Sequence, residues 1–253
     1  PPPPPSFALG VMGVKGGVGT TTIATNIAAA MLTAGDKPLL VDWCLGYGNL
    51  GLYLGHTPVP SIANMISRPV TDINDRNLNG QIVTHQSGLR LLLSSSRTQE
   101  AQINFSTDSV RALLGTMKRM ANPVVCDLGS RYNPLISQVA REIDQLVIVL
   151  EPNKVSLAMA RELFQSLEAD GIGRGRLNIV VINRAQSSLQ TPWQEIEQHL
   201  GQDIKAIISA APELAFQTIE ANMPMVLFRP NSITSNQLAK LAEDFRNRSI
   251  AYR

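Results

Sequence analysis

Cysteine is scarce in this chain of 253 residues, which holds only Cys44 and Cys126. Two thiols make neither a secreted disulfide framework nor a metal-ligand set, so a reducing, cytoplasmic setting is expected. Histidine is nearly as rare. His56, His85 and His199 are scattered without metal-ligand spacing and read as surface or loop residues. An excess of one charge is also missing: 22 basic against 20 acidic residues leave a formal +2. So near a balance gives no electrostatic case for a specific nucleic acid or an anionic membrane as partner. No apolar run is long enough to cross a bilayer, which excludes an integral membrane segment. Aromatics make up 5% and charged residues 17%, against 44% hydrophobic residues. That balance excludes a disordered or fibrous chain and suits a globular α/β protein with a sizeable core.

The chain opens on Pro1–Pro5, a stiff polyproline spacer with no core to join. Residues 1–6 therefore read as the remnant of a linker, and residues 7–253 as one domain. From there strand-like and helix-like patterns alternate. Strands are expected at Phe7–Val14, Pro38–Val41, Gly88–Leu93, Pro123–Asp127, Gln145–Leu150, Leu177–Asn183 and Ile204–Ile208. Helices are expected at Thr21–Thr33, Thr107–Met120, Val155–Leu167, Pro192–Leu200 and Ile233–Arg248. The strands are continuously apolar rather than alternating, as in a parallel sheet covered on both faces. Repeated strand-then-helix order implies right-handed crossovers, hence a doubly wound, mostly parallel sheet flanked by helices. In the last helix Leu238, Leu241, Ala242 and Phe245 share one face, which predicts packing on the sheet.

The chemistry concentrates in Val14-Lys15-Gly16-Gly17-Val18-Gly19-Thr20-Thr21-Thr22. This run lies between an expected strand and an expected helix, the context of a phosphate-binding loop. Its glycines let backbone N–H groups converge on an anion, and the following helix adds its positive end. Thr21 is placed to offer a hydroxyl to Mg²⁺, and Thr22 to reach a phosphate oxygen. Two positions depart from the general pattern G-x-x-x-x-G-K-[ST]. Val14 replaces its first glycine, and Thr20 replaces the lysine that reaches the β- and γ-phosphates. A lysine stands instead at the start of the loop, at Lys15.

Lys15-Gly16-Gly17-Val18-Gly19 resembles the deviant phosphate loop of the MinD/ParA class of P-loop ATPases. In that class the early lysine reaches across a homodimer interface to the partner's nucleotide, which implies that role for Lys15. The run Gly19-Thr20-Thr21-Thr22, without a second lysine, is most similar to the CpaE/TadZ branch, whose members help localise Flp/Tad pilus assembly and typically carry an upstream receiver-like domain. Further matches run along the chain. They are Leu39–Asp42 with Tyr47–Gly55, Ser87–Leu93, Val124–Asp127 as a Walker B strand, Glu151-Pro152, and Val181–Arg184. The resemblance implies ATP or ADP with Mg²⁺, and a water-mediated hold on the metal by Asp127. It also places Asn183 and Arg184 near adenine, and Pro212 in a later loop beside the base. Asp42 ends a strand at the carboxyl edge of the sheet, where a role near Mg²⁺ and a plain capping role both remain open. Trp43 lies near the nucleotide or packs in the core, and Cys126 is a small core residue.

Cys44 stands where relatives carry a carboxylate that helps position the attacking water. With Thr20 it predicts slow or absent hydrolysis. The expected function is an ATP-dependent dimerisation switch that helps localise a pilus or similar polar machine through protein partners, with recruitment to a pole or the inner membrane face. Two other readings stay open. One is a partition ATPase acting on DNA or membrane, although its basic cluster Arg246, Arg248 and Arg253, beside Glu243 and Asp244, reads as a solvated helix face. The other is a metabolic or metal-delivery P-loop enzyme, for which the chain lacks a cysteine pair.

Overall fold

The computed structural model describes residues 6–57, 61–184 and 191–251. Its sheet has eight strands: β1 (Ala8–Gly13), β2 (Leu39–Asp42), β3 (Val83–Thr84), β4 (Arg90–Leu92), β5 (Val124–Asp127), β6 (Gln145–Leu150), β7 (Leu177–Asn183) and β8 (Ile204–Ser209). They lie in the order β3-β4-β2-β5-β1-β6-β7-β8. Every pairing is parallel except β3 with β4. The helices are α1 (Thr20–Thr33), α2 (Leu50–Tyr53), α3 (Ala63–Ile66), α4 (Asp75–Asn79), α5 (Thr107–Met120), α6 (Pro134–Glu142), α7 (Lys154–Ala169), α8 (Trp193–Leu200), α9 (Pro212–Glu220), α10 (Met225–Phe228) and α11 (Ile233–Ala251).

The continuous apolar strands are explained by two cores, one on each face. Along β6, Leu146, Ile148 and Leu150 enter one core while Val147 and Val149 enter the other. The first core is completed by α5, α6, α7 and α8, the second by α1, α10 and α11. Helix starts are fixed locally. The side chains of Ser106, Asn133 and Asn153 accept from the N–H groups of Ser109, Ile136 and Ser156, capping α5, α6 and α7.

All seven expected strands are present, with some ends trimmed or extended by a residue or two. The hairpin-like β3 and the helices α2, α3, α4, α6, α9 and α10 were not anticipated. Pro212 is corrected: it is the first residue of α9 rather than part of a loop, a position where a proline's missing N–H costs the helix nothing. The surface reading of His85 is also corrected, because it is 3% exposed. One ring nitrogen meets Ser87 Oγ at 2.8 Å and the other meets the Asn222 carbonyl at 2.9 Å. Burial accordingly lowers its pKa. Trp43 belongs to the first core, so packing is its role.

Helix α11 buries Leu238, Leu241, Ala242 and Phe245 as its spacing demands. Its arginines lie on an outer face, with Arg248 exposed, and they also bond to the body of the domain; Arg253 lies outside the described residues. Arg246 donates to Asp36 at 2.8 Å, and Arg248 donates to Gln145 and Asn178, each at 3.1 Å, at the lower edge of the sheet. Phe245 is fully buried, so Phe245→Ala is expected to cost about 3–5 kcal/mol, read as a lower urea midpoint with an unchanged slope.

Candidate functional site

β1 lies between β5 and β6, and the chain crosses in opposite directions to reach them. This leaves a crevice at the carboxyl ends of the strands, the usual ligand position in an open α/β sheet. The loop from Gly13 to Gly19 fills that crevice and feeds α1. Its base is pinned by backbone bonds, with Gly13 N–H donating to Gly129 at 2.8 Å and Val14 N–H to Val149 at 3.0 Å. Gly17 and Gly19 have φ of 76° and 104°, in the left-handed region that glycine adopts without strain. A Cβ on either would meet nothing within 4 Å, and one on Gly16 would meet only Ser130 Oγ at 4.0 Å. The three glycines thus turn bare backbone toward an open concavity, while Val18 anchors the loop in the core. Gly13 is the opposite case. A Cβ there would lie 2.3 Å from Thr20 Oγ1 and 2.6 Å from Val18 Cγ2.

Thr20, Thr21 and Thr22 form the first turn of α1. Thr20 packs its hydroxyl beneath Gly13 and is 8% exposed. Thr21 reaches Asn49 Oδ1 at 3.5 Å on one side and approaches the Asp127 carboxylate on the other. Asp42 and Asp127 are direct partners in the pairing of β2 with β5, and each is 1% exposed. Asp42 accepts from the N–H groups of Cys44 at 2.9 Å and Leu50 at 3.3 Å, so it organises the segment after β2. Asp127 accepts from Gly129 N–H at 3.0 Å through one oxygen, while its Oδ2 is buried without a well-formed hydrogen bond. Burial first, and the neighbouring Asp42 second, push Asp127 up to about 7; burial raises Asp42 as well. Two buried carboxylates in register, one with an orphaned oxygen beside a threonine hydroxyl, fit a hard divalent cation such as Mg²⁺.

Lys15 does not point into its own loop. Its ammonium pairs with Glu151, just past β6, at 2.8 Å. Arg184 joins the same carboxylate at 3.1 Å and donates to the Gly17 carbonyl, so Glu151 bridges the loop to the end of β7. Burial raises the Glu151 pKa, but Lys15 and Arg184 outweigh it and the net shift is downward. Asn183 ends β7 opposite Ser209 of β8. Asn183, Arg184 and Pro212 therefore share the strand-end edge with the loop, on the β7–β8 side of β1.

Glu151 and Asn49 were not anticipated as site residues. The first had a signal, an acid at the end of an apolar strand; the second had none. Cys44 is 6% exposed, and its Sγ lies 2.7 Å from where a Gly129 Cβ would stand. Burial, then Asp127 and Asp42, hold its thiol well above its ordinary pKa, so it stays neutral.

A family model described as cellulose biosynthesis protein BcsQ matches residues 7–244. The antiactivator FleN of Pseudomonas aeruginosa is 26% identical over 187 residues, which cover 72% of this chain; the match spans 63% of FleN's own length. Among solved structures, a ParA family ATPase from Chlorobium tepidum superposes with a TM-score of 0.84 at 24% identity, covering 94% of this chain and 98% of that one. The septum site-determining protein MinD from Pyrococcus horikoshii, solved with Mg-ADP, gives a TM-score of 0.78 at 19% identity, with 94% and 95% covered. The mostly parallel sheet flanked by helices thus matches the fold of these two solved structures.

Proposed function

The chain belongs to the cellulose biosynthesis protein BcsQ family, within the MinD/ParA superfamily of P-loop ATPases, and on that premise we propose that it is an ATP-dependent dimerisation switch with slow or no hydrolysis. The observation that carries this reading is the divided site. One chain supplies the glycine cradle, Thr21 and the Asp42–Asp127 pair, yet turns Lys15 away to Glu151 on the rim. With 28% of its side chain exposed, Lys15 is accessible to a facing copy. Asp127 and Thr21 would hold Mg²⁺, which neutralises phosphate charge when bound. Asn183, Arg184 and Pro212 line the edge where a base would lie.

Weak hydrolysis rests on two positions. Thr20 brings no cation to the terminal phosphates, and the neutral Cys44 thiol brings no carboxylate to orient water. Each loss is worth on the order of 10²-fold in rate, by comparison with single electrostatic donors. A long-lived dimer suits a positioning device that acts through protein partners better than a metabolic enzyme. The family's description favours a cellulose-producing apparatus as the machine served, with a pilus assembly of the Flp/Tad kind as the other client.

The test is solution mass with and without Mg²⁺-ATP, for wild type and Lys15→Ala, with released phosphate followed in the same samples. The expected result is a dimer formed only with ATP, lost in the variant, with little phosphate released. A wild-type monomer under every condition would overturn the switch, and rapid turnover would overturn the slow-hydrolysis reading.

A further inference from the structure

Thr20 leaves the cradle without its usual cation, and the two cations nearest on the β6–β7 side are engaged with Glu151. On the opposite side a third one stands apart. Arg131 follows the turn Gly129–Ser130, whose Gly129 carbonyl accepts from Gly13 and whose Ser130 hydroxyl is the nearest group facing Gly16. Its guanidinium lies 4.6 Å from the centre of the Tyr47 ring, across from the segment that follows β2. No carboxylate pairs with it among the described residues, although ten other ion pairs are formed.

Resting on the nucleotide-binding reading above, we propose that Arg131 supplies in cis the cation that Thr20 lacks, and binds the terminal phosphate of a nucleoside triphosphate. Stacking on an aromatic face fixes the guanidinium without neutralising it, whereas a carboxylate partner would cancel its charge. A phosphate, which a guanidinium grips with two parallel hydrogen bonds, readily displaces such a stack. The position selects the phosphate end. Arg131 is four residues past Asp127 on the β5 side of β1, whereas Asn183 and Pro212 lie at the far side on β7 and after β8. The Tyr47 hydroxyl is buried without a partner and its pKa is raised by burial, with Arg131 acting in the opposite direction. Arg131 also opposes the rise at Cys44. Its field thus falls on the corner between the two segments.

The experiment is calorimetric titration with Mg²⁺-ADP and with a Mg²⁺-bound non-hydrolysable ATP analogue, using wild type, Arg131→Ala, Arg131→Lys and Arg131→Ala combined with Thr20→Lys. Arg131→Ala is expected to weaken the triphosphate analogue tenfold or more while ADP stays within about twofold. Arg131→Lys should recover part of that loss, and Thr20→Lys most of it by restoring charge from the loop. Retained ADP binding also reports that the variants are folded. Equal losses for both ligands, or no loss for the analogue, would overturn the inference and leave the nucleotide site standing. Failure of the wild type to bind either ligand would overturn the nucleotide reading itself, and this inference with it.

Discussion

Asp127→Asn is expected to stabilise the nucleotide-free protein at pH 8 and at the same time remove its Mg²⁺-dependent nucleotide binding. The cause is the in-register pair with Asp42, each carboxylate about 1% exposed. Folding raises Asp127 from an ordinary value near 4 to about 7. The folded state therefore holds a proton across that interval while the unfolded state has released it. Stability falls as pH rises from 4 toward 7, and above 7 the full cost of a buried charged pair stands. Asparagine keeps the bond to Gly129 and carries no charge, so it relieves that cost by about 4 kcal/mol at pH 8. Below the unfolded value it relieves almost nothing. Urea denaturation of both proteins at pH 5 and pH 8 measures this: the advantage of the variant should shrink toward the lower pH. A variant less stable than wild type at pH 8 would show that Asp42 and Asp127 do not burden each other. On the proposed reading this carboxylate holds the metal, so the gain should be matched by a loss of on the order of 10²-fold in Mg²⁺-nucleotide affinity.

The second large effect is expected at Gly13. Gly13→Ala should leave the protein folded but weaken nucleotide binding by on the order of 10²-fold, since misplacing positioned groups by about 1 Å costs that much. The new methyl would stand 2.3 Å from Thr20 Oγ1 and 2.6 Å from Val18 Cγ2. Neither neighbour can yield cheaply, because Val18 is fully buried and Thr20 begins α1. Overpacking of this kind costs about 1–3 kcal/mol, which the sheet and both cores absorb. Relief comes by lifting the loop away from β1, which spoils the convergence of its N–H groups. Circular dichroism melting beside nucleotide titration separates the two consequences. Unimpaired binding would show that the close approach of Gly13 to Thr20 is dispensable.

Much of this architecture was legible along the chain, because strands buried on both faces announce themselves as apolar runs. β6 and β7 were readable to the residue, and so was α5, whose Ser106 cap and apolar face lie within one segment. The phosphate loop is equally local: its glycines, threonines and flanking elements are neighbours in sequence. β3 escaped notice because two residues carry no periodicity, and α9 because its Pro212 start reads equally as a loop. The burial of His85 and the partners of Arg246 and Arg248 were not legible for a different reason. Their partners Asn222, Asp36, Gln145 and Asn178 are 70 or more residues away.

The sequence by itself determined the layered α/β class and the glycine-rich loop with Thr20 in place of a lysine, since these depend on residue type and short spacing; the role of Cys44 came only from the resemblance. The tertiary structure alone decided how charge is distributed around that loop. It set Asp42 against Asp127, drew Lys15 to Glu151 and left Arg131 over Tyr47. Those relations follow from a strand order that brings β2 beside β5 and β6 beside β1. Electrostatic energy depends on distance through space and on burial, and neither quantity is written in the spacing along a chain.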